Sequence, residues 1–89
     1  MVITVEVSMY PLDRHYGTHI IRFIHELREC PGIEVVTNQM STQLSGEFAA
    51  VMAALQTCMR GVMEADQHVV FVAKYVNLDL DIGTAPAIG

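Results

Sequence analysis

An α+β sandwich, with two helices packed on one face of a four-stranded antiparallel sheet, is the fold this sequence predicts. Three observations predict it. Residues 2–10, VITVEVSMY, alternate apolar and polar side chains. Two longer segments repeat apolar residues at helical spacing. Two β-branched runs, 33–38 and 67–77, with a short return strand at 41–45, complete an order of βαββαβ within 89 residues, the length of one domain.

The elements follow in order. In the first strand Ile3, Val5, Val7 and Met9 share one face, while Thr4, Glu6, Ser8 and Tyr10 share the other. Pro11 ends it, and PLDRHYG reads as a loop. From about Gly17, the residues Ile20, Phe23, Ile24 and Leu27 mark the first helix, which Pro31-Gly32 stops. IEVVTN (33–38) is a second strand, and a tight turn near Asn38–Met40 returns the chain as a short third strand, STQLS (41–45).

Ser45 is expected to cap the second helix, with Glu47 in its first turn. Phe48, Val51, Met52, Leu55, Met59 and Val62 form that helix's apolar stripe. The last strand runs from Gln67 to Asn77, so the domain spans 1–77. Residues 78–89, LDLDIGTAPAIG, form a C-terminal extension that reads as one of low order. Short connections and right-handed crossovers give the strand order 4-1-3-2, a ferredoxin-like sandwich.

Composition narrows the partners. Hydrophobic residues make up 52% of the chain, more than one small core hides, so a second buried surface is expected. Both rows of the last strand are largely apolar, so the open face or an edge is expected to pack on a second subunit. The net charge is −5 and the five basic residues are scattered singly, so no nucleic acid is expected. No apolar run approaches a membrane span, and the start MVITVEVSMYP lacks a basic leader. Cys30 and Cys58 read as free thiols of a reducing, cytoplasmic protein.

The stretch NQMSTQLSG (38–46) is rich in hydrogen-bonding groups and carries no charge. In the expected topology the end of strand one lies beside the start of strand three. Ser8, Tyr10, Ser41, Thr42 and the Asn38-Gln39 turn then converge on one rim with Tyr16, which opens the first helix beside free N–H groups. Such a rim suits a flat, nitrogen-rich heterocycle and shows no nucleophile–base pair. The plainer alternative is that Ser41 and Thr42 satisfy backbone groups in a hairpin.

Other constellations are weaker. His15 and His19 have zinc-like spacing but lack further ligands, and Asp79 with Asp81 lacks a calcium-loop pattern, so neither metal nor cofactor is expected. Glu6 is unusual in mid-strand; it reads as a cross-strand partner of Lys74 or as an acceptor for a ligand amine. The methionines, including Met52, Met59 and Met63, read as adaptable core filler.

The segments V-S-x-Y-P-L (Val7 to Leu12), Tyr16 at the helix opening, and M-S-T-x-L-S-G (Met40 to Gly46) resemble bacterial proteins that bind thiamine and its hydroxymethylpyrimidine moiety. The resemblance covers residues 2–77. It implies a ferredoxin-like fold, a non-enzymatic role in thiamine uptake or salvage, and Ser8, Tyr10, Tyr16, Ser41 and Thr42 as ligand-binding residues. This chain holds one repeat where others hold two, which implies a homodimer or a dimer of dimers. The tail NLDLDIG departs from the family pattern. Two other classes compete: a small dimeric α+β barrel enzyme acting on an aromatic substrate through His19, His25, Tyr16 or Glu6, and a pure oligomerisation module.

Overall fold

The computed structural model describes residues 1–65 and 68–88. Its elements are β1 (Val2–Pro11), α1 (Tyr16–Glu29), β2 (Ile33–Thr37), β3 (Thr42–Glu47), α2 (Phe48–Glu64) and β4 (Val69–Val76). The strands lie in the order β2-β3-β1-β4, and every neighbouring pair is antiparallel. This is the α+β, ferredoxin-like arrangement that the element order predicts.

Alternation in β1 sets the layers. Ile3, Val5, Val7 and Met9 are buried against Phe23 and Leu27 of α1 and Val51 and Leu55 of α2. Each such side chain contributes about 1.5–3 kcal/mol when fully buried. Phe23 also meets Phe71 of β4, with ring centroids 5.1 Å apart. The opposite face of the sheet carries Glu6, Ser8 and Tyr10 beside Lys74, Val72 and Val70, and among the described residues no helix covers it.

Glycines hold the β2 end in place. Gly32 turns the chain into β2 with φ of 77°, and a Cβ on Gly46 would stand 2.8 Å from the Gly32 carbonyl oxygen. The glycine that closes the M-S-T-x-L-S-G stretch therefore serves close backbone approach.

Three expectations are corrected. Ser45 does not cap α2, because β3 keeps pairing with β1 as far as Val2 opposite Glu47. The Phe48 N–H then donates to the Met1 carbonyl at 2.9 Å, so strand pairing overrides the local capping signal. Glu47 occupies the cap position without a side-chain cap bond, and its carboxylate meets the Met1 ammonium at 3.0 Å. Met63 is exposed, whereas Met52 and Met59 pack on the core.

The third correction concerns the tail. Its described residues, 78–88, form neither strand nor helix, yet they are tied across the open face. The Thr4 hydroxyl donates to the Leu78 carbonyl at 2.7 Å and accepts the Leu80 N–H at 3.1 Å. Ser45 donates to Asp79 at 3.4 Å. The fourth strand begins at Val69, and the expected start at Gln67 lies outside the described residues.

Candidate functional site

β1 is longer than β3, and the mismatch makes a notch. Val7 opposite Thr42 is the last pair between them, while β1 runs on to Pro11 beside β4. The β2–β3 turn, Asn38 to Ser41, stands across the gap from Ser8, Met9 and Tyr10. The flank of α1 supplies the apolar wall, with Ile20, Phe23 and Ile24. Together they bound an open cleft of about 200 Å³ with no charged residue on its lining.

Hydrogen bonds give the polar groups of the cleft a direction. The Ser41 hydroxyl donates to Glu6 Oε2 at 2.9 Å and accepts from Gln43 Nε2 at 2.7 Å, which leaves its oxygen one lone pair to offer. The Asn38 Oδ1 accepts from the Met40 and Ser41 N–H groups at 2.8 and 3.1 Å, so its amide NH₂ remains as a donor. Thr37 and Thr42 hydroxyls lie 3.0 Å apart; one donates to the other and the second hydroxyl keeps a proton to give. Acceptors and donors thus both line the cleft.

Four of the sequence-derived site residues, Ser8, Tyr10, Ser41 and Thr42, line this cleft. Sheet pleating divides them: Thr42 pairs with Val7 and turns to the helix side, whereas Ser41, bonded to Glu6, belongs to the open side. Tyr16 is not on the lining and is 61% exposed. Among the described residues, none from His15 to His19 at the helix N-terminus is on the lining either. The His15 carbonyl accepts from Thr18 and His19, and Asp13 accepts from His15.

The Asn38-Gln39 turn joins Ser8, Tyr10, Ser41 and Thr42 on the lining, as the sequence suggests, and Thr37 and the α1 wall complete the cleft beyond the residues so expected. Thr37 was legible in principle, since the hairpin register places it opposite Thr42. The role of Glu6 as the acceptor that orients Ser41 depends on a contact 35 residues apart in sequence.

Elsewhere, Lys74 lies 3.5 Å from Glu6, the cross-strand pair expected of two opposed strand residues. His19 contacts Asp13 at 3.3 Å. The His15 N–H bond, more than the His19 contacts, holds the Asp13 carboxyl below its ordinary range. Among the described residues no three His, Cys, Asp or Glu side chains gather as metal ligands, and no helix is long and apolar enough to cross a membrane.

Solved structures share the fold. A Streptococcus pneumoniae protein superposes with a TM-score of 0.78 at 23% identity, covering 90% of each chain. A Thermotoga maritima protein, provisionally described as acting in thiamine biosynthesis or salvage, gives 0.73 at 18% identity over 98% of this chain and 91% of its own. A domain of unknown function from Bacillus cereus gives 0.75 at 15% identity over 92% of this chain and 84% of its own. No curated protein matches the chain in sequence. Residues 2–78, which include every element of the sandwich and the whole cleft, match the YKOF-related family, and the chain belongs to that family.

Proposed function

We propose that this protein binds thiamine or its hydroxymethylpyrimidine moiety without transforming it, in thiamine uptake or salvage. One observation carries the reading: an uncharged cleft at the β1–β3 notch that offers hydrogen-bond donors and acceptors to a flat ring. An aminopyrimidine needs both, an acceptor for its amino group and donors for its ring nitrogens. The cleft volume of about 200 Å³ is below that of pockets enclosing drug-sized ligands, and suits a single ring.

The rest of thiamine, a cationic thiazolium, would then lie at the mouth beside the exposed ring of Tyr10. Such a contact contributes about 0.5–1 kcal/mol when solvated, and the net charge of −5 does not oppose it. The provisional assignment of the Thermotoga maritima relative to thiamine biosynthesis or salvage supports the same chemistry. A homodimer or homotetramer is part of the proposal, because the open face leaves Val70 and Val72 half exposed.

Calorimetry with thiamine and with free hydroxymethylpyrimidine tests the proposal. Saturable heat from at least one, with a dissociation constant below millimolar, is the expected result. Absence of heat from both up to millimolar concentration overturns it.

A further inference from the structure

We infer that the main-chain N–H and C=O of Met9 form the recognition edge of the cleft, taking a ligand that presents an N–H donor beside a ring-nitrogen acceptor. This rests on the reading of the cleft as a heterocycle site and adds the atoms that fix which edge of the ring is read.

Pleat parity identifies those atoms. In an antiparallel pair, opposed residues alternate between exchanging both main-chain hydrogen bonds and exchanging none. The Leu12 N–H donates to the His68 carbonyl at 3.0 Å, one step beyond Pro11 opposite Val69. Even-numbered residues of β1 therefore bond to β4. On the other side the Phe48 N–H donates to the Met1 carbonyl, one step beyond Val2 opposite Glu47. Odd-numbered residues, Val5 and Val7 among them, therefore bond to β3.

Met9 is the next odd residue, and the ladder has stopped. Continuing the register would place Met40 opposite it, but the Met40 N–H is taken by Asn38 Oδ1 and the chain has already turned into the hairpin. Among the described residues the N–H and C=O of Met9 have no partner. Met9 lines the cleft and is only 8% exposed. A poorly hydrated, unmatched donor and acceptor are unfavourable, so the position favours an occupant that can bond.

Pro11 sharpens the site. It is the next residue of the same parity, and it has no N–H to leave unmatched where β3 is missing. Among the odd-numbered residues of β1, Met9 alone therefore presents a donor–acceptor pair in the notch. An extended residue turns its N–H and C=O to the same side. A 4-aminopyrimidine carries the complement on adjacent atoms: its amino N–H meets the Met9 carbonyl and its ring nitrogen accepts from the Met9 N–H. The ring takes the place of one missing rung of the sheet. A peptide strand offers the same edge, but the turn at Asn38 to Ser41 closes the far side and leaves room for one ring.

The Met9 side chain is core, so the test reads the main chain. Amide exchange by NMR on the ¹⁵N-labelled protein should show Met9 exchanging at least about tenfold faster than Val5 and Val7 without ligand. Saturating hydroxymethylpyrimidine should slow Met9 by a similar factor, and its N4,N4-dimethyl analogue, which has no amino proton, should bind at least about tenfold more weakly. If the pyrimidine binds by calorimetry and perturbs Ser41 and Thr42 while Met9 exchange stays unchanged, this inference falls and the proposed function stands. Equal binding of the dimethyl analogue, or a Met9 amide already protected without ligand, also overturns it. No binding at all overturns both.

Discussion

At the scale of single residues, Ser41 is the side chain whose role the geometry defines most narrowly. Its proton goes to Glu6 and one lone pair to Gln43, so it meets a ligand as an acceptor. Ser41→Ala should weaken pyrimidine binding about tenfold, the worth of one hydrogen bond, while the melting temperature barely moves because Glu6 keeps Lys74. Calorimetry and a thermal melt on the same preparation check both halves. Cys58 is defined as narrowly by its surroundings. Burial, aided by the Cys30 sulfur 3.8 Å away, pushes its thiol from 9.0 up to about 12. The folded chain then holds a proton that the unfolded chain releases, so this contribution to stability is complete below pH 9 and is lost as pH rises toward 12. Urea melts across that window should show a loss of roughly 1 kcal/mol or more by its middle, with a shallower slope for Cys58→Ala. Equal slopes would refute the assignment.

At the scale of elements, unequal strand lengths create the site. β1 extends past β3 at one end to leave the notch, and the tail crosses the sheet at the other end, over Thr4 and Ser45. The two ends should therefore separate experimentally. A chain ending at Asn77 loses both bonds of the Thr4 hydroxyl and uncovers that end of the sheet, and each lost bond is worth about 0.5–1.5 kcal/mol. Its urea midpoint should fall while its affinity for the pyrimidine stays within about twofold of the full chain. An affinity that collapses with the tail would show that the two ends are coupled. Element identity was legible from period alone, because alternation and helical spacing do not resemble one another over ten residues. Boundaries were less so: Ser45 followed by Glu47 looks like a helix start until Val2 is seen to pair with Glu47.

At the scale of the whole molecule, the composition and the uncovered face agree. Val70 and Val72 are 47% and 50% exposed on a sheet face that carries no helix, and the tail protects only one end of it. A 9.9 kDa chain with 52% hydrophobic residues has more apolar surface than its own core uses. Light scattering at micromolar concentration should give the mass of two or four chains. A mass of one chain would remove the oligomer from the proposed function while leaving the cleft, whose lining Ser8 to Tyr10, the α1 flank and the β2–β3 turn supply within one chain.

By itself the sequence determined the βαββαβ order, the sheet order and the buried row of β1. These follow from side-chain periodicity and from the few topologies that short connections permit. It also brought Ser8, Tyr10, Ser41 and Thr42 to one rim, because adjacency of strands one and three follows from that topology. Only the tertiary structure decided that Tyr16 stands apart, that Thr37 joins Thr42, that Glu6 turns Ser41 into an acceptor, and that the tail lies on the sheet. Each of these depends on where a strand stops or which way a side chain leans. Such details are set by pairing between residues distant in the chain, and local pattern does not encode them.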